Sequence, residues 1–132
     1  MQKSDVQNMM LSLKRVLNWT EKAGKQADEL TKQVVGTFYF GMLNGCVLNE
    51  KKSSVWLQGT TIAMFIKELG YDMKAAVQFY GELCRSMQYE PEETLAAIAH
   101  RGLEGYYQWK EGAEGQLKEN VEEVLAVIRE GA

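Results

Sequence analysis

The sequence predicts an all-α fold, on three observations. Only one proline occurs in 132 residues, and proline is the residue that helix interiors exclude most strongly. Apolar residues recur at i, i+3, i+4, i+7 rather than at every second position. Clusters of β-branched residues in alternation, which would mark half-buried strands, are few. A chain of this length is expected to make a single domain over 1–132. By size scaling it buries about two thirds of its unfolded surface and needs no metal or disulfide to hold it together.

Six helices follow from the spacing. The first starts at Ser4 as N-cap and lines up Val6, Met9, Met10, Leu13, Val16 and Leu17, with Gly24 as its stop. The second, about 26–49, contains "VVGTFYFGMLNGCVL", apolar on every side of the helix. An all-round apolar helix is a central one. The run is fifteen residues, short of the roughly 20 that span a bilayer, and Thr37 and Asn44 interrupt it. Gly36, Gly41 and Gly45 each cost about 1 kcal/mol of helix propensity, which points to neighbouring helices approaching the backbone closely. Ser53 or Ser54 caps a third helix, with Val55, Ile62, Phe65, Ile66 and Leu69 inward. "ELGYD" stops and restarts the chain: Gly70 left-handed, Tyr71 packed back, Asp72 capping. The fourth helix turns Met73, Val77, Tyr80, Leu83, Cys84 and Met87 inward. Pro91 opens the fifth, where Glu92 and Glu93 suit the positive end of its dipole. The sixth, about 114–129, carries Leu117, Val121, Val124, Leu125 and Ile128. The short connections imply one compact bundle, antiparallel pairs around the buried second helix.

Catalytic constellations are hard to find. No GxGxxG or P-loop cradles phosphate, and no HExxH or Glu-x-x-His marks a metal helix. The carboxylate pairs Glu92/Glu93 and Glu122/Glu123 are adjacent on helices, so their side chains diverge by about 100° and do not converge on one atom. With one histidine, a Cys/His pair at His100 would need Cys46 or Cys84 from far away in sequence, and no nucleophile motif supports it. The two cysteines read as free, buried, structural thiols of a reducing cytoplasm. The N-terminus "MQKSDVQNMM" has neither the apolar core nor the cleavage site of a secretory signal. No catalytic residue, cofactor or metal is expected.

Charge is uneven. Residues 1–70 hold nine Lys/Arg against six Asp/Glu, a balance of +3; residues 71–132 hold six against twelve, a balance of −6. The acidic half suits a basic partner. The basic first half (Lys14, Arg15, Lys22, Lys25, Lys32) keeps open a helical DNA-associated regulator. Yet a recognition helix after "ELGYD" would offer only Lys74 and Arg85 beside acidic neighbours, poor for phosphate contact.

The densest cluster of unusual residues is "AHRGLEGYYQWKEG", 99–112, with the only histidine. Drawn as a helix, it has two faces. Leu95, Ile98, Ala99, Gly102, Tyr106 and Trp109 share a narrow core arc. His100, Glu104, Tyr107 and Glu111 fall opposite, with Arg101 and Gln108 beside them, and His100 and Glu104 can pair at i, i+4. The bland reading of that outer side is a helix-stabilising surface pair. The functional reading is a contact stripe of His100, Glu104, Tyr107, Gln108 and Glu111, built on a tyrosine ringed by carboxylates.

In this order, "FYFGMLNG", "FIKELGYDMKAAVQFYGEL" and "AAIAHRGLEGYYQWKEG" resemble the small all-α immunity proteins of bacterial polymorphic toxin systems. The likeness covers roughly 34–128, and "HRGLEGYYQWKEG" is its most specific block. It implies a cytoplasmic, non-enzymatic protein that binds and neutralises a cognate protein toxin, and it assigns no contact residues. Nucleic acid and membrane are not expected partners, and a homo-oligomer is compatible with the sequence.

Overall fold

The computed structural model describes residues 3–88 and 93–131. Seven helices form among them: α1 (Lys3–Leu17), α2 (Glu21–Gln26), α3 (Glu29–Glu50), α4 (Ser54–Leu69), α5 (Met73–Gln88), α6 (Glu93–Lys110) and α7 (Glu114–Gly131), with no strand. The all-α expectation holds. Pro91 and Glu92 lie outside the described residues.

The expected first helix is two helices. α1 already includes Lys3, so Ser4 lies within it rather than before it. It ends at Leu17, and Asn18 turns left-handed at φ 53°. Asparagine is, after glycine, among the residues that enter this region most readily. Thr20 then caps α2, its hydroxyl accepting the Ala23 N–H at 3.1 Å. Gly24 is therefore no terminator. It is buried inside α2, where a Cβ would fall on the Trp19 indole and on the Glu68 carbonyl oxygen. Apolar spacing ran on through Val16 and Leu17 and hid the Asn-Trp-Thr break.

The central helix is α3. Asp28 caps it by accepting the Thr31 N–H at 2.7 Å, and that bond holds the Asp28 carboxyl below its usual range. Val34, Val35, Phe38, Tyr39, Phe40, Met42, Leu43 and Cys46 are all buried, covering the full circumference. Each large side chain so buried contributes about 1.5–3 kcal/mol. Among the described residues no helix is long and apolar enough to cross a membrane.

Gly70 takes φ 76° after α4. Its N–H reaches the Ile66 carbonyl, and the Tyr71 N–H reaches that of Phe65, both at 3.2 Å. This is the doubly bonded left-handed helix stop expected of "ELGYD". Tyr71 packs edge-on to Phe65, and Asp72 accepts the Ala75 N–H at 2.8 Å. Ser53 is the cap of α4, bonded to the Trp56 N–H.

Two faces differ from expectation. Val55 is 77% exposed, because α4 buries Leu57, Thr61, Met64, Phe65, Glu68 and Leu69 instead. On α5, Met73 is 62% exposed, and Val77 and Met87 are also outside. The buried arc is Ala76, Phe79, Leu83 and Ser86. Phe79 fixes this rotation: it stacks on Phe65 at 4.6 Å and meets Tyr71 edge-on at 5.9 Å. Tyr80, its neighbour on the helix, turns about 100° away and is only half-buried.

The tightest crossing joins α3 to α6. A Cβ on Gly41 would strike the Ala99 carbonyl and one on Gly102 the Phe38 carbonyl, so the two backbones touch. From there the helices run in the same direction: Gly45 meets Tyr106, and Glu50 meets Tyr106 and Lys110. The α3–α6 crossing is therefore parallel and not one of the expected antiparallel pairs. On α7, Leu117, Val121, Val124 and Leu125 are buried and Ile128 packs against them, as expected.

Candidate partner-binding surface

The crossing with α3 fixes how α6 is rotated. Ile98, Ala99, Gly102, Gly105 and Tyr106 face inward, with Leu95 and Trp109 packed at the margins. The side opposite must then face out. His100, Glu104, Tyr107 and Glu111 are all exposed, and Tyr107 retains 42% of its surface. Glu111 lies just past the last residue of α6, but its N–H still reaches the Tyr107 carbonyl at 3.0 Å. The helical turn therefore carries it onto the same side.

Local contacts order this side. His100 Nε2 lies 3.7 Å from Glu104 Oε1, the i, i+4 pair, and Arg101 Nε lies 3.8 Å from the other Glu104 oxygen. The Tyr107 hydroxyl accepts from Asn49 Nδ2 of α3 at 3.0 Å, and its ring stands edge-on to Tyr106. Beneath it, the Tyr106 hydroxyl and Lys110 Nζ both donate to Glu50 Oε1, at 3.0 and 3.1 Å. Those two hydrogen bonds, Lys110 first, hold the Glu50 carboxyl below its usual range. Burial and the same carboxylate push the Tyr106 phenol up.

Gln108 stands apart from the other four. It is half-buried, and its side-chain oxygen accepts from Asn120 of α7 at 3.0 Å. Asn120 also donates to the Arg101 carbonyl and accepts from Arg101 Nε at 2.7 Å. Gln108 is thus part of the α6–α7 seam. The structure brings His100, Glu104, Tyr107 and Glu111 together on one outer stripe and turns Gln108 toward the neighbouring helix.

α7 extends the acidic character beside this seam. Glu123 pairs with Arg101 at 3.3 Å and Glu122 with Lys118 at 3.9 Å, so this adjacent pair diverges, as its spacing implies. Glu119, Glu123 and Glu130 remain exposed.

The remaining candidates lie elsewhere. Both cysteines are free thiols; Cys46 is buried as expected, whereas Cys84 is only half-buried, because Leu83 beside it takes the inward position on α5. Burial pushes the Cys46 thiol up to about 12, which keeps it protonated and non-nucleophilic. Among the described residues no group of three or more His, Cys, Asp or Glu is placed to hold a metal ion. In the basic first half, Lys14 ends on Glu68 and Arg15 on Glu114, and Lys32 sits 5.6 Å over the Tyr71 ring.

One feature escaped the sequence reading. A groove of about 610 Å³ lies between α1 and α4, floored by Tyr39 of α3. Its signal in the sequence was Gly59, a glycine within a helix, next to Trp56.

No curated protein and no solved structure matches this chain. The model of the family described as Immunity protein 48 does match, over residues 2–129. With nearly the whole chain covered, the protein belongs to the Immunity protein 48 family.

Proposed function

We propose that the protein binds a cognate protein toxin and neutralises it by direct contact, without catalysis. The observation that carries this reading is the family match over residues 2–129. It is supported by the place of the lone histidine, whose ring sits in an exposed i, i+4 pair with Glu104. The contact side we assign is the outer face of α6 with the acids of α7. Tyr107 is its aromatic anchor, His100, Glu104 and Glu111 lie around it, and Gln108 forms its edge. An aromatic with a polar tip amid carboxylates suits a basic surface, and complementary charge speeds encounter and rejects wrong partners. The cytoplasm, where a toxin reaching its target would be met, is the compartment this activity calls for.

The test begins with the toxin encoded beside the gene. Cells expressing that toxin should survive when the chain is co-expressed, and the purified pair should associate. A toxin that kills regardless, or that does not associate, rejects the reading. DNA association, the other class compatible with the basic half, predicts binding that falls steeply with salt; no binding at low salt removes it.

A further inference from the structure

The geometry points to the groove between α6 and α7 as the seat of one large apolar side chain of the toxin, with a lysine or arginine next to it in the toxin chain. The inference rests on the immunity reading for the identity of the partner, and it deepens the contact side assigned to α6 and α7. The chemistry comes from the floor, the wall and the charge of the groove.

The floor is aliphatic. The groove holds about 310 Å³, at the small end of the range for ligand pockets. Ile98 of α6 and Val124 of α7 are buried at its base, and Ile128 is half-buried beside them. Ala97 is exposed on the α6 side, and its single methyl group leaves the groove open. None of these side chains offers a hydrogen bond, so a group seated among them is apolar to its tip.

Val127 forms the α7 wall and is 60% exposed. Valine is stiff at χ1 in a helix, and an outer helical position favours alanine, glutamate or lysine on propensity. Neither propensity nor burial within the chain accounts for this residue. An apolar side chain in the groove would cover it.

The charge is directional. Arg101 reaches Asn120 and Glu123 across the seam, so α6 and α7 run antiparallel and the start of α6 lies beside the end of α7. At the Arg101 end a second cation would meet a guanidinium already held by those partners. The other end carries Glu93, which lines the groove, and Glu130, which stands i+3 from Val127 on the same side of α7. Both are exposed, and neither has a cation partner among the described residues. Glu93 suits the positive end of α6, but Glu130 stands in the last turn of α7, where the helix dipole disfavours a negative charge. The fold itself gives no reason for a carboxylate there. A ligand cation at that end, with its apolar neighbour on the aliphatic floor, matches both features together.

The probe is the peptide acetyl-Gly-Ser-Phe-Lys-Arg-Ser-Gly-amide, titrated into the full chain and followed by backbone amide shifts. The expected shifts centre on Ala97, Val124, Val127 and Glu130. A version with alanine in place of phenylalanine should bind about tenfold more weakly, and one with glutamate in place of lysine and arginine about as weakly. Ala97→Trp, which fills the groove from an exposed position, should fold as the wild type and lose the peptide. Glu130→Lys places a cation where the α7 dipole favours it. It should melt no lower than the wild type and bind the peptide about fivefold more weakly, a combination that a merely structural role would not give. No shifts, shifts centred elsewhere, equal binding of either altered peptide, or undiminished binding by Ala97→Trp or Glu130→Lys would overturn the proposal. The toxin itself separates the two readings. A chain that binds the peptide but not the toxin overturns immunity and keeps the groove as a site for an apolar side chain beside a cation. A toxin that binds the wild type and Ala97→Trp equally well overturns the groove as its contact and keeps immunity.

Discussion

The two sides of α6 obey opposite rules. Inside, Gly102 and Ala99 press onto the backbone of α3, and Tyr106 fills the space over Gly45; every atom there is fixed by a neighbour. Outside, His100, Glu104, Tyr107 and Glu111 face solvent, tied down by surface pairs and by one hydrogen bond from Asn49 to Tyr107. One helix thus devotes one side to holding the fold and leaves the other exposed, and changes on the two sides should have separable consequences.

The largest effect is expected inside. Gly102→Ala places a methyl group on the Phe38 carbonyl. Overpacking of this kind typically costs 1–3 kcal/mol and occasionally more, and backbone against backbone is the arrangement least able to yield. A loss of about 3 kcal/mol or more, or failure to fold, is expected by urea denaturation. A variant as stable as the wild type would mean that the crossing is looser than described.

Acid should act next, through Glu50. Its carboxyl is held below the usual range by Lys110 and Tyr106, so the folded state binds a proton less readily than the unfolded one. The stability this contributes is complete above the ordinary carboxylate pKa of about 4.3 and disappears as pH falls through the lowered value. Asp28, also lowered, acts in the same direction. The urea midpoint should drop between neutral pH and about pH 3, and Glu50→Gln should flatten part of that drop. An identical pH profile for the variant would break the assignment.

Gly59→Ala sharpens the comparison from a third place. At a glycine whose Cβ meets nothing, alanine should raise stability by up to about 1 kcal/mol. A loss instead would show that Gly59 serves packing after all. The smallest change is expected from His100→Ala on the outer side, within about 0.5 kcal/mol, since exposed pairs contribute little.

Much of this was legible in sequence. The core arcs of α6 and α7, the all-round burial of α3, the Gly70 stop and the close-packed glycines follow from spacing and propensity, which are local. What was missed depends on tertiary choices. Phe79 and Tyr80 compete for one inward position, and only the ring of Phe65 decides between them. Val55 fits an apolar arc whose centre lies elsewhere. Nothing local says that α3 and α6 run parallel. The outer stripe was readable as a face, but Gln108 was not separable from it, because its partner Asn120 is supplied by α7. Gly59 was visible as a letter and silent as a groove, since an unneeded glycine is recognisable only once its surroundings are known.

The outer face of α6 is the centre of the functional account, and one measurement addresses it directly. The affinity of the neighbouring toxin should be compared between the wild type and the combined Glu104→Lys, Tyr107→Ala and Glu111→Lys variant, with thermal melting of both. The account predicts a cooperative melt lowered only by the loss of the Asn49–Tyr107 hydrogen bond and the Glu104 pairs, and a Kd weaker by at least about thirty-fold, the loss expected when an interface anchor is removed. Equal affinity in a folded variant would contradict it and move the contact off this face.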